Sequence, residues 1–300
     1  MQVYNKSAGD VAFRVINNII MGIIGILTLY PVLWLVIASV SNPLALHTHH
    51  TRLIFWPLGF SLEAYRIVLE NMLLWRAYAN TIFYTVTATA FSVTICMMGG
   101  YVLSRKYLPG RGALTLFMVF TMFFGGGLIP TFLLINALGL VNTRWVMIIP
   151  NAVSVFNVIM IMSFCRSLPD EMEESARVDG SNDWRTFVRV MIPLCKPVIA
   201  VMILFFAVGN WNSWIWPRIF LRERRLVPLQ IVMQEILHMA NPDSANVAQH
   251  AEGWHGEERG AFMDAVQYSV IVVSMIPIVA LYPVIQKYFI SGVMIGAIKG

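Results

Sequence analysis

The chain predicts an all-α, polytopic membrane protein, and three observations carry that prediction. Of its 300 residues 58% are hydrophobic and only 12% charged, where a soluble chain has about a quarter charged. Its mean hydropathy is +0.68. Six windows, each longer than about 20 residues, contain no Asp, Glu, Lys, Arg or His, which is enough to cross a bilayer as helix. This composition excludes a cytosolic enzyme, a secreted disulfide scaffold and a disordered tail.

The windows are 15–40, 81–103, 113–137, 145–165, 197–217 and 265–286. The first follows a short polar start with Lys6 and Arg14. It is too long for a signal peptide and lacks a small-residue cleavage site, so it reads as a retained helix. Pro31, Pro130, Pro150 and Pro277 interrupt four of the windows, which lipid-embedded helices tolerate where neighbours satisfy the freed carbonyls. Gly125-Gly126-Gly127 before Pro130 signals either a helix break or close helix packing, and packing is the preferred reading. Between the first two windows, Leu62, Tyr65, Val68 and Leu69 have helical spacing and predict a short surface helix. After the fifth, 228–239 is amphipathic and 241–260 reads as polar loop. No internal repeat is evident, so 1–300 reads as one transmembrane domain.

Loop charge orients the spans. Segments 104–112 and 166–196, with the two chain ends, collect 12 of the 21 Lys and Arg residues, so that side is assigned to the cytoplasm and both termini with it. The net charge of +5 belongs to this bias and not to a nucleic-acid surface. Cys96, Cys165 and Cys195 form no CxxC pair and read as buried hydrophobes. His47, His49 and His50 share one polar loop and read as solvated, so no metal site is expected.

An active transporter needs an energy source, and this sequence encodes none of its own. There is no GxxxxGK[ST] loop to cradle ATP phosphates. No Asp, Glu or His sits in any window to pass a proton. The chain is therefore either a passive pore or a subunit driven by a partner. The connector 167–193 bears on this choice. Ser167, Pro169 and Asp170 form a helix-start pattern, with Glu171, Glu173 and Glu174 at the positive end of its dipole. Gly180 ends that helix. A second begins at Ser181 or Asn182, with Trp184, Phe187, Val188 and Met191 at helical spacing until Pro193 closes it.

Glu174-Ser175-Ala176, three residues, Gly180, nine residues, then Val190-Met191-Ile192-Pro193 resembles the EAA motif of ABC importer membrane subunits. That motif runs E-A-A, three residues, G, nine residues, I-x-L-P; the departures here are small-for-small and aliphatic-for-aliphatic. The resemblance extends over nearly the whole chain to the carbohydrate, maltose-type permeases, through Asn210-Trp211-Asn212 with Pro217 and through the ending 288–300. It is nearest to the oligosaccharide and polysaccharide members.

The resemblance implies a type I ABC importer permease fold in the bacterial cytoplasmic membrane. Glu174, Ser175, Ala176, Gly180 and Pro193 then belong to a coupling helix that seats in a cytoplasmic ATPase, with the carboxyl tail near the same interface. It also implies a second permease subunit of a different chain, two ATPase copies, an external solute-binding protein and a carbohydrate substrate. The chain itself is no enzyme and holds no cofactor; ATP and Mg belong to the ATPase.

Asn210, Trp211, Asn212 and Trp214 suit sugar recognition, because aromatic faces meet ring C–H groups and amides meet hydroxyls. Interfacial anchoring explains the tryptophans equally well. Arg222, Arg224 and Arg225 stand outside, against the positive-inside bias. They either pair with Glu223 and an acidic binding protein or steer an anionic saccharide such as a uronate oligomer. The rival classes are an ATP-independent channel or facilitator and an ABC permease for amino acids or metal ions.

Overall fold

The computed structural model describes residues 8–49, 53–239 and 257–297. Among them the regular elements are all helical, apart from one isolated bridge between Ser41 and Phe60. In chain order the helices begin with α1 (Ala8–Ser39), α2 (Pro43–Thr48), α3 (Glu63–Glu70) and α4 (Met72–Ser104). There follow α5 (Arg111–Phe123), α6 (Leu128–Ala137) and α7 (Val155–Ser167). The connector gives α8 (Glu171–Val178), α9 (Asp183–Thr186), a π turn at Phe187–Met191 and α10 (Ile192–Leu194). The chain ends with α11 (Lys196–Trp211), α12 (Ile215–Phe220), α13 (Leu229–Met239) and α14 (Glu257–Ala297). Lys6, His50, Arg52, the stretch 240–256 and Lys299 lie outside the described residues.

Among the described residues three helices are long and apolar enough to cross a membrane, Gly9–Ser39, Met72–Ser104 and Gly260–Ala280; counting each of two sharply bent pairs as one span makes five. The sequence windows and the helices differ where the backbone breaks. Pro31 and Pro277 leave their helices continuous. Window 145–165 is helical as one piece only from Val155, because Arg144–Met147 is a 3₁₀ turn and Pro150 lies in the irregular stretch after it. Ser154 starts α7 by accepting from the Asn157 amide. Of the stretch expected as polar loop, 257–260 is already helix.

The glycine run overturns the preference for close packing. A Cβ built at Gly125 or Gly127 would meet nothing within 4 Å among the described residues. Gly127 instead lies at φ +80, and α5 and α6 meet at 112°. Only glycine takes that backbone at little cost, so the run is a helix break. The stripe expected to be amphipathic in 228–239 starts buried all round, since Leu229, Gln230, Ile231 and Val232 are all inaccessible.

The chain forms two compact units. The first combines the residues up to Asn71 with Glu235–Met275. There Trp34 of α1 meets Tyr268 of α14 edge-on at 5.3 Å, and Ser39 Oγ shares a 2.8 Å hydrogen bond with Tyr65 Oη of α3.

The second unit runs from Met72 to Gln234 and adds the chain from Ile276 onward. Its core lies where α4, α7 and α11 meet the connector: Cys96, Met97, Tyr101, Val158, Ile161, Phe187, Met191 and Met202 are all buried there. Gly100 lets α4 and α7 close, because a Cβ at that position would fall 2.6 Å from Ile161 Cβ. At the 80° bend between α10 and α11 sits Cys195, its thiol 3.7 Å from that of Cys165, both free and buried.

Candidate functional site

The connector folds into a corner that stands out from the core. The expected start at Ser167 lies three residues too early: Ser167 ends α7 and its hydroxyl donates back to the Phe164 carbonyl. The first connector helix, α8, begins only after Asp170, which makes no side-chain cap. Its end is fully capped. Gly180 sits at φ +76, its N–H donates to Arg177 O at 3.0 Å, and Ser181 N–H donates to Ala176 O at 2.9 Å. That pair of bonds satisfies carbonyls the last turn would otherwise leave open, and it requires the left-handed residue that glycine supplies. Asn182 then starts α9 by accepting from the Arg185 amide at 2.8 Å. The second connector helix runs through the π turn and α10 to Leu194, one residue past Pro193, and the chain turns at Cys195.

The corner presents an uncovered face. No residue of α8 is buried. Glu174 and Ser175 are exposed and Ala176 half-exposed, while Met172, Val178 and Trp184 show apolar surface among them. Small and apolar positions ringed by charge on a short corner suit contact with another protein. Trp184 leans on Phe187, and Phe187 on Tyr101 of α4 at 5.0 Å, which ties the exposed face to the core.

Ion pairs hold the corner from behind. Glu173, read from sequence only as a dipole partner, is largely buried and pairs with Arg105 at the end of α4 and with Arg177 one turn on. Lys106 reaches Asp170 at 2.6 Å and holds that carboxyl below its usual range. Arg105 also lies over the Tyr101 ring and Arg177 over Tyr107. Arg105, Lys106, Tyr107, Asp170, Glu173 and Arg177 border a cavity of about 570 Å³ that Glu174 and Arg166 also line. The Arg105–Glu173 pair crosses between elements 68 residues apart, and no local pattern announces it.

The other candidates lie toward the opposite end of α4. Trp211 is buried against Tyr78, edge-on at 5.8 Å, and Asn210 donates to Thr89 Oγ1 of α4. Asn212 caps α11 and bonds back to Val208 O, whereas Trp214 is exposed. Of the four, Asn212 and Trp214 are exposed, Asn210 is half-buried and Trp211 is buried. Arg222, Arg224 and Arg225 are exposed on the turn after α12. Glu223 pairs with Arg225, which lowers its carboxyl pKa, and accepts from Asn142 Nδ2 at 3.1 Å.

Side chains that no local sequence pattern singles out pin this turn to α4. Asn80 Nδ2 donates to Arg225 O and Val227 O, Tyr84 Oη to Leu226 O, and Thr81 Oγ1 accepts from Leu229 N. Asn142, at φ +59, accepts from the amides of Arg222 and Glu223. Asn80 and Ser104 are 24 residues apart on one continuous helix. At 1.5 Å per residue that is about 36 Å. The arginine turn and the corner are thus separated along α4 by slightly more than the roughly 30 Å hydrocarbon core of a bilayer.

The chain is similar to known proteins over nearly its whole length. Residues 108–293 match the family model described as binding-protein-dependent transport system inner membrane component. Protein LplC of Bacillus subtilis is 35% identical over 99% of this chain and 98% of its own length. The polygalacturonan/rhamnogalacturonan transport system permease protein YtcP of the same organism is 35% identical over 83% of this chain and 85% of its own. A crystal structure of a bacterial ABC transporter involved in the import of the acidic polysaccharide alginate aligns with a TM-score of 0.84 at 33% identity, covering 96% of this chain and all of that one. With a match that spans the EAA-like corner and relatives aligned nearly end to end, the chain belongs to the binding-protein-dependent inner membrane components, the permease subunits of ABC importers.

Proposed function

We propose that this chain is the permease subunit through which an ATP-driven importer passes an acidic oligosaccharide into the cytoplasm. The observation that carries the reading is the corner at Gly180. It is a capped, uncovered, charge-braced projection fixed to the end of α4, and it matches the coupling motif in spacing. The acidic substrate rests on YtcP and on the alginate importer, relatives at 35% and 33% identity.

On this reading six spans cross the membrane with both termini inside, and the corner and the α14 tail face the cytoplasm. The bent pairs α5–α6 and α10–α11, with the shorter apolar helix α7, bring the three straight helices to six. Two ATPase copies bind and hydrolyse ATP with Mg; closing on each other, they move the corner, and α4 and α11 shift with it as packed elements. The sugar moves because its affinity differs between the outward-open and inward-open states. A second permease of a different sequence completes the pathway, and an external binding protein delivers the sugar. Asn212 and Trp214 are the residues of this chain assigned to the pathway, and Arg222, Arg224 and Arg225 to the outer mouth.

The test is charge reversal at Glu174 in the assembled importer. Glu174→Arg should leave membrane insertion intact and cut the ATPase stimulation given by loaded binding protein at least about tenfold, because a like charge across a protein interface costs several kcal/mol. Undiminished stimulation would remove the coupling role and leave the channel reading standing.

A further inference from the structure

Beside the turn that carries Arg225 lies a cavity of about 580 Å³, wholly within the second unit. Its walls include Arg76 from α4, Arg144 from the 3₁₀ turn, Arg225, and the polar side chains of Asn80, Asn142 and Thr143. No carboxylate stands among the described residues that line it. Only Arg225 has an acidic partner, Glu223; neither Arg76 nor Arg144 pairs with a carboxylate among the described residues. Three cations drawn around one space repel each other, and an anion placed between them removes that repulsion.

The walls are also held in place before any ligand arrives. Asn80 fixes the backbone at Arg225 and Val227, and Asn142 fixes the backbone at Arg222 and Glu223. The Arg144 guanidinium lies 5.1 Å above the Phe83 ring, which limits its swing. Asn142 is the one non-glycine residue at positive φ among those described, a left-handed state that asparagine tolerates and that lets its side chain take both amides. A volume in the range of small-molecule sites, about 300–1,000 Å³, is then walled by planar forks whose donors match a carboxylate.

We infer that this cavity is a carboxylate-binding site at the outer mouth of the permease. The site's outer position rests on the function proposed above; its chemistry does not. The carboxylate can come from a uronate unit of the sugar or from an Asp or Glu of the docked binding protein. Arg76 and Arg144 are both exposed, so replacing them leaves the core intact.

The experiment uses the assembled importer in lipid vesicles, comparing wild type, Arg76→Gln/Arg144→Gln and Arg76→Lys/Arg144→Lys. Three quantities are measured: uptake of trigalacturonate against its methyl ester, affinity for the binding protein loaded with each, and the rate at which phenylglyoxal modifies Arg76 and Arg144. In the glutamine variant, trigalacturonate uptake should fall about tenfold while ester uptake changes less than twofold, with the lysine variant between. Trigalacturonate, but not the ester, should slow modification of both arginines in wild type. An equal, roughly tenfold loss of binding-protein affinity with either sugar would also support the site and assign the carboxylate to the protein. Unchanged uptake and docking, with modification indifferent to trigalacturonate, would overturn it. Wild-type vesicles that take up neither sugar would sink the proposed function instead, and the modification rates, which need no transport, would still decide the cavity.

Discussion

At Gly180 the backbone lies at φ +76, and a Cβ added there meets nothing within 4 Å. Substitution therefore costs backbone strain alone, about 1–2 kcal/mol for most residues and more for a β-branched one. Asn tolerates the left-handed region, so Gly180→Asn should couple nearly as the wild type does while Gly180→Val loosens the corner. The measure is hydrogen exchange at Ser181, whose amide closes the cap on Ala176 O, together with ATPase stimulation. Equal exchange in both variants would mean that the cap does not hold the corner. The glycine was legible in the sequence because turn chemistry is local. Glu173 was only half legible: its bond to Arg177 follows from i,i+4 spacing, whereas its pairing with Arg105 depends on where α4 ends.

Helices show the same division between local signal and tertiary outcome. Uncharged windows located α1, α4 and most of α11 and α14, because hydrophobic length is a property of the segment itself. They could not locate the 112° and 80° bends, nor shorten window 145–165 to α7, since uncharged composition is blind to backbone direction. Gly127 carried the sign of its bend, but glycine serves equally for packing, and only the empty space around it separates the two. Gly100 is the converse, an undistinguished glycine in a long helix that proves to be the packing site. Gly→Ala inside a helix ordinarily gains up to about 1 kcal/mol. Here the new methyl would lie 2.6 Å from Ile161 Cβ and Cγ2 and 3.0 Å from Val158 O. A branched carbon next to the backbone cannot swing aside, so overpacking of about 1–3 kcal/mol wins. Gly100→Ala should lower the unfolding midpoint of the purified importer, and Gly99→Ala, whose nearest neighbour is 3.7 Å away, should not. A raised midpoint for Gly100→Ala would show that α4 and α7 are not so close.

For the whole molecule the question is what this chain can do without partners. A bundle that enclosed its own pathway would bury faces of most of its helices. Within the second unit α5 buries no residue and α6 only Ile135. In lipid such faces cost little, so exposure alone does not demand a partner. The demand comes from energetics: the sequence has no phosphate loop, the uncharged windows hold no carboxylate, with Asp264 standing just ahead of the last of them, and no residue of α8 is buried among those described. Transport against a gradient then requires an outside source of work, and a passage for a charged sugar requires walls on all sides. The chain alone in liposomes should pass neither trigalacturonate nor its ester, whereas co-expression with a second permease subunit should yield a complex that survives detergent and, with ATPase and binding protein, accumulates the acid. Flux through the lone chain that equilibrates the sugar without ATP would reverse this conclusion, making the corner incidental and the protein a facilitator. ATP-dependent accumulation that also succeeds with this chain as the sole permease would keep the importer and make its pathway a homodimer's.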